Sequence, residues 1–304
     1  MPSFRIFRTF VAVVKHGTFA AAGKEIGLTA AAVGLQIRSL EQDLNLVLFD
    51  RGARAVVLNT TGRRIAAQVE DLMLRYEALA ASGDDNALSG TVVMGALVSA
   101  LMGAFADALW SLKQAHPRLE VKLLAGLSSD FAVRVEEGEL DAAVVAQSPR
   151  PLPASLLWTP LYTEPMVLIV PRQPHFDLAR DPLEILRRSP FLRFDRQTWT
   201  GYLVNDALRQ CGVAVREEME LNSVEAIVEI VRQGFGVSIV PRLANVQWVR
   251  DQGLRVISLP GSGVQRHVGL IERTRHGRQQ FTAAIKQYFQ AGEKRRRSGR
   301  ATKR

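Results

Sequence analysis

Apolar residues set the rhythm of the first sixty positions. Phe7, Phe10, Val13 and Val14 recur at helical spacing and stop at Gly17. Thr18 is placed to cap a second short helix, "FAAAGKEI". Gly27 and Leu28 form a tight turn, and Thr29 is placed to cap a third helix. In that third helix Val33, Ile37, Leu40 and Leu44 share one face, which predicts burial. Two short helices and a tight turn before an amphipathic helix describe a helix-turn-helix.

The opposite side of the third helix carries Ala31, Leu35, Arg38 and Gln42, with Gly34 on its flank. Ala30 sits at the helix start, where recognition helices commonly meet base edges. Ala30, Ala31, Gly34 and Leu35 on this side carry no hydrogen-bonding side chain. A small apolar surface can instead lie against thymine methyl groups, and Gly34 lets a backbone approach closely. Gln36, Arg38, Gln42, Arg51 and Arg54 would supply polar and phosphate contacts. The bland alternative is that Ala30, Ala31 and Gly34 are tolerated helix surface.

Two apolar runs split by Arg51-Gly52-Ala53-Arg54 predict a hairpin wing with a basic tip. Asn59 is placed to cap a long helix. Within it Ile65, Val69, Leu72, Tyr76 and Leu79 alternate spacings of four and three, a rhythm that favours pairing with another helix. "SGDDNALSG" (82–90) reads as the main domain boundary.

Beyond it strands and helices alternate. "TVVMGAL", "LEVKLLAG" and "LDAAVVA" read as strands, with helices at 100–115 and 129–138 between them. "PMVLIVP", "PFLRFD" and "VSIVP" are further strands, with helices at 200–211 and 223–233. Such alternation predicts parallel sheets covered by helices in two lobes, with a ligand cleft between them.

Charge sharpens this picture. The net charge is +9, and the final "KRRRSGRATKR" carries seven of the basic residues. Residues 1 to 65 hold nine Lys/Arg against Glu25, Glu41, Asp43 and Asp50. A compact basic unit suits a polyanion. The tail reads as a disordered end with capacity for nonspecific phosphate contact. A single cysteine, Cys211, cannot form an intrachain disulfide, which fits a reducing cytoplasm. No secretory signal is visible, and the longest uncharged run is shorter than the ~18 to 20 residues that span a bilayer. The five histidines are scattered without metal-ligand spacing, and neither a Walker A loop nor a GxSxG elbow occurs. Catalysis, metals and cofactors are therefore not expected.

The run "FRTFVAVVKHGTFAAAGKEIGLTAAAVGLQIRSLEQDLNLVLFDR", followed by "VVLNTTG" and a long helix, resembles the N-terminal domain of LysR-type transcriptional regulators. "HPRLEVKLLAG", "EEGELDAAVV", "PLYTEPMVLIV" and "IVEIVRQGFGVSIVP" resemble successive blocks of the effector domain of that family. The resemblance covers roughly residues 4 to 290. It implies an α+β multi-domain fold: a winged helix-turn-helix (1–58), a dimerisation helix (59–88) and a two-lobed α/β effector domain (89–290). That last domain resembles periplasmic binding proteins, with lobe 1 at about 91–163 and 266–290 and lobe 2 at about 164–265. A basic tail (291–304) follows. The sequence departs from the family where Gln is common at Ala30, Pro or Ser at Ala31, and Ser at Gly34.

The resemblance implies a cytoplasmic, sequence-specific regulator of duplex DNA that forms a homodimer or homotetramer, with RNA polymerase as a further partner. Thr29, Ala30, Ala31, Gly34, Leu35, Gln36, Arg38, Arg51 and Arg54 are the DNA-binding candidates. Ser99, Ser128 and Thr200 at helix starts, with Phe194 and Arg196 near the last, are the candidates for a small anionic effector. The alternative is a DNA-binding regulator or architectural protein without a small-molecule effector.

Overall fold

The computed structural model describes residues 4–50, 56–80, 88–243, 248 and 251–301, with the backbone alone for residues 74, 75, 77–80 and 291–301. Three short helices come first: α1 (Phe4–His16), α2 (Phe19–Ile26) and α3 (Ala30–Leu44). Local chemistry sets their ends. Thr18 Oγ1 accepts from the Ala21 N–H at 3.2 Å, and Thr29 Oγ1 from the Ala32 N–H at 3.2 Å. Gly27 ends α2 at φ 72°, a left-handed position that suits glycine. At Gly23 a Cβ would collide with the Leu28 carbonyl, so the glycine lets the turn fold tightly onto α2. Phe10, Val13, Ala22, Val33, Ile37 and Leu40 form the buried centre.

The wing begins and ends in an antiparallel bridge between Phe49 and Leu58. Its expected basic tip, with Arg51 and Arg54, lies outside the described residues, as does most of the 82–90 boundary. Asn59 Oδ1 then accepts from the Gly62 N–H at 2.8 Å and starts α4 (Thr60–Ala80). The sequence predicts one continuous seam along α4, but the structure divides it. Ile65 and Val69 pack into the helix-turn-helix core because α1 lies against them. Leu72 and Tyr76 remain 45% and 55% exposed, and the Leu79 side chain lies outside the described residues.

The larger domain is built on strands β1 (Gly90–Ala96), β2 (Leu119–Ala125), β3 (Ala142–Ala146), β4 (Leu156–Pro171), β5 (Pro190–Phe194), β6 (Arg216–Leu221), β7 (Ser238–Pro241), β8 (Leu254–Ser258) and β9 (Gln265–Arg273). Helices α5 (Val98–Leu101), α6 (Ala104–Ala115), α7 (Ser128–Glu136), α8 (Pro182–Arg188), α9 (Trp199–Cys211), α10 (Val224–Arg232) and α11 (Gln279–Ala301) connect or cover them. The sheet order is β2-β1-β3-β9-β4-β7, with β8 also on β4 and β5-β6 as a separate pair. The expected parallel sheets are mixed instead. β1, β2 and β3 are parallel, as are β5 and β6, whereas β9, β4, β7 and β8 pair antiparallel.

Strand β4 runs through both lobes: Leu156 to Pro165 pair with β9, and Met166 to Pro171 with β7 and β8. One lobe has buried clusters on both sheet faces, around Phe105 and Phe281 and around Phe131 and Val145. The other buries Ile169, Phe191, Val204 and Ile227. The single helix expected over 100–115 is broken at Gly103 into α5 and α6. The tail expected to be disordered continues α11 to Ala301, since Lys and Arg are good helix formers and no proline interrupts them. The basic side chains from Lys294 onward lie outside the described residues.

A buried network pins α11 to β9. Glu272 accepts from His276 at 3.1 Å and also pairs with Lys286. Burial pushes the Glu272 carboxyl upward, but hydrogen bonds from His276, Lys286 and Thr282 outweigh it and hold it at about 2. A depressed carboxyl stabilises the fold above its ordinary value of 4.5, and that contribution disappears as pH falls toward 2. Thermal unfolding followed between pH 6 and pH 2 should show this loss, and Glu272→Gln should flatten the slope between pH 4.5 and 2.

Candidate DNA-reading face and inter-lobe cavity

Helix α3 turns an almost blank face outward. Thr29, Ala30, Ala31 and Arg38 are exposed, and Leu35 is 66% exposed. Thr29 also caps the helix, so its position is fixed by the fold. Gln36 departs from the expectation of a free polar contact. It is half-buried, and its Oε1 accepts from Thr9 Oγ1 at 2.6 Å, which ties it to α1. Gly34 is half-buried above Phe19, and a Cβ there would meet the nearest ring atom at 3.7 Å, an ordinary contact. Unlike Gly23, it is not required by the packing of this chain.

The second site is a cavity of about 250 Å³ between the lobes. Its walls come from the starts of α5, α7, α9 and α10, from the ends of β2 and β5 and from one residue of β9. Ser99, Ser128, Phe194 and Thr200 all line it, so the sequence placed these four together. Their roles differ from those expected. Ser128 Oγ accepts from the Ala146 N–H at 3.1 Å and so joins α7 to β3. Thr200 is buried within the first turn of α9, whose cap is Thr198, accepting from the Gly201 N–H at 3.0 Å. Ser99 Oγ accepts from Arg266 at 3.1 Å.

Arg196 does not line the cavity. Its side chain is exposed and pairs with Glu217 at 2.6 Å and Glu220 at 3.3 Å. These two carboxylates on β6 draw the guanidinium across the outer edge of the lobe. The cation in the cavity wall is Arg266, which the sequence reading missed. It is 1% exposed and donates to Glu164 Oε2 from Nε at 2.9 Å and from Nη2 at 2.5 Å. Glu164 and Arg266 are direct cross-strand partners on β4 and β9. Glu225 is the other ionisable side chain of the wall, also unforeseen. Trp199 belongs to α9 yet packs against the core clusters of the lobe opposite, so it bridges the cleft.

Cys211 closes α9 and is half-buried, with its Sγ donating to the Pro260 carbonyl at 3.3 Å. Burial pushes its thiol up. A helix C-terminus also disfavours a thiolate.

Residues 85–293 match the model of the LysR substrate binding domain, and residues 4–63 match that of the bacterial regulatory helix-turn-helix proteins of the lysR family. A probable RuBisCO transcriptional regulator of Cyanophora paradoxa is 30% identical over 276 residues, covering 84% of this chain and 83% of that protein. A probable hydrogen peroxide-inducible genes activator of Mycobacterium leprae (strain TN) is 29% identical, covering 91% and 90%. Among solved structures, a full-length OxyR variant from Pseudomonas aeruginosa superposes with a TM-score of 0.71 at 20% identity, covering 94% of each chain. Full-length CbnR complexed with its target DNA superposes with a TM-score of 0.57 at 19% identity, covering 95% of this chain and 99% of that one. At these identities the two structures share the fold with this chain.

Proposed function

This chain belongs to the LysR family of DNA-binding transcriptional regulators, and from that premise we propose that a small molecule held between its lobes sets how α3 engages duplex DNA. It is a regulator rather than an enzyme. The observation that carries the proposal is the cavity itself. Polar helix starts from both lobes converge on one open-mouthed cleft, and β4 runs through both lobes beneath it. A ligand touching both lobes favours one arrangement of them over others, which is the requirement for a coupled change elsewhere. On the DNA side, Ala30, Ala31, Gly34 and Leu35 would meet base edges, with Thr29, Arg38, Arg51 and Arg54 reaching phosphates. RNA polymerase is a further proposed partner.

The proposal is tested by thermal denaturation of the chain against a panel of small metabolites. A ligand at 100 times its dissociation constant adds about 2.7 kcal/mol to stability. A stabilising compound that also shifts operator affinity supports the reading. A panel that moves neither quantity contradicts it. Trp199 in the cavity wall adds a ligand-sensitive component to the fluorescence of the four tryptophans.

Peroxide sensing, which the name of the Mycobacterium leprae relative suggests, finds little support in this chain. Cys211 is the lone cysteine, and its thiol is pushed up rather than activated. We propose assembly through α4, because Leu72 lies exposed and Tyr76, stacked on Phe4 of α1, keeps about half of its surface open beside it. Leu72→Asp should shift the chain to monomer in sedimentation and weaken operator binding at least tenfold. An unchanged oligomer would remove Leu72 from the interface.

A further inference from the structure

We infer that the cavity takes a small zwitterion of the amino-acid class rather than a simple anion, an inference that rests on the effector reading above. The cavity wall holds two ionisable side chains, Arg266 and Glu225. They stand in different electrostatic states. The charge of Arg266 is already opposed by Glu164, which shares two hydrogen bonds with it, and Ser99 takes a third. An arriving carboxylate therefore meets no uncompensated cation among the described residues of the wall.

Glu225 has no such partner: it stands in the first turn of α10, where the partial positive charge of the helix start favours its carboxylate, but no full positive charge faces it among the described residues. Its Oε2 accepts from Ser223 Oγ at 2.7 Å, a neutral donor. Its Oε1 is buried and has no hydrogen-bond partner among the described residues. Among those residues it also forms no ion pair. A buried carboxylate oxygen without a donor is unfavourable, and native proteins leave few such groups unpaired. A ligand carrying an ammonium would supply the missing donor to Oε1 and a full positive charge where the start of α10 offers only a partial one. A bare anion would meet repulsion from the same group.

The rest of the wall suits the other end of such a molecule. Ser128 and Ser129 stand in the first turn of α7, and Thr198 and Thr200 at the start of α9. Helix starts of this kind favour a carboxylate through their free N–H groups and partial positive charge. Leu97, Val98, Leu127, Phe194, Trp199 and Val224 provide the apolar surface for a side chain. The volume of about 250 Å³ lies below the ~300 Å³ at which drug-sized pockets begin, so the ligand is small.

Matched chemical triples test this directly. Each of the common L-amino acids is compared with its 2-hydroxy acid, which lacks the ammonium, and its decarboxylated amine, which lacks the carboxylate. Dissociation constants come from calorimetry on the full chain, with Trp199 fluorescence as a second signal. The expected result is at least one amino acid that binds tenfold or more tightly than both of its counterparts. Glu225→Gln should erase the advantage over the hydroxy acid while retaining hydroxy-acid binding. Hydroxy acids or dicarboxylates that bind as tightly as every amino acid would overturn the zwitterion and leave the effector reading standing. Triples that all fail to bind, while another small molecule binds and alters operator affinity, would do the same. A Glu225→Gln chain with undiminished preference for the amino acid would overturn the role of Glu225. A cavity that binds nothing from either set would overturn both readings.

Discussion

Arg266→Ala is expected to cost the chain about 3–5 kcal/mol of stability, the usual penalty for leaving one partner of a buried ion pair alone. Arg266 and Glu164 are each 1% exposed and face each other across β4 and β9. With the guanidinium gone, Glu164 would lose two of its hydrogen bonds and its opposing charge, and Ser99 would lose its donor. For a protein stable by about 5–15 kcal/mol, such a loss is large. The melting temperature should fall by roughly 10 °C. Replacing both members, Arg266→Met with Glu164→Leu, should recover most of the loss, because two apolar side chains leave no buried charge behind. Melting curves of the single and double variants decide the matter. A double variant as unstable as Arg266→Ala would mean that the site needs polar groups for reasons other than their mutual compensation.

Gly34→Leu should weaken operator binding by between tenfold and a hundredfold, about 1.4–2.8 kcal/mol. A Cβ at Gly34 meets only the Phe19 ring, at 3.7 Å, so the packing of this chain has room for a side chain. Glycine in a helix interior still costs about 1 kcal/mol relative to alanine. A cost without an internal cause points outward, to the duplex, where a branched side chain would hold α3 away from the groove. Gly34→Ala separates the two effects: it should raise the stability of the free chain by about 1 kcal/mol and yet lower its affinity for the operator. Anisotropy titrations on operator and random duplexes, paired with denaturant unfolding, give both numbers. Equal operator affinity in all three proteins would reduce Gly34 to tolerated surface. Leu35 bears on the same account. Replacing a contacted thymine by uracil removes one methyl group and should weaken binding by about 1 kcal/mol.

The features legible in the sequence are those written locally. Thr18, Thr29 and Asn59 cap the helices they precede because capping needs only the next three residues. Val33, Ile37 and Leu40 are buried as their spacing requires. The features missed depend on distant partners. Arg266 and Glu164 are 102 residues apart, and neither neighbourhood marks the pair. Arg196 lies two residues from Phe194 of the cavity wall, but Glu217 and Glu220 hold it on the outside. Strand β6, "REEMEL", has five exposed residues out of six and so offers no apolar pattern to find. The seam on α4 had a clear rhythm, yet a rhythm cannot say which partner it faces. Ile65 and Val69 face their own domain, Tyr76 stacks on Phe4 of α1 while staying 55% exposed, and Leu72 is the seam residue among the described side chains left without such a partner.

Selection of bound duplexes from a pool of random sequence tests the central claim most directly. The assembly proposed through α4, as a symmetric dimer, would present two recognition helices, so the operator should carry two related half-sites. The face formed by Ala30, Ala31, Gly34 and Leu35 has no polar side-chain atoms, so each half-site should contain thymine where these residues meet the major groove. The account predicts enrichment of an inverted repeat with conserved A·T pairs at those positions. Binding that leaves the recovered pool as random as the starting pool would contradict it.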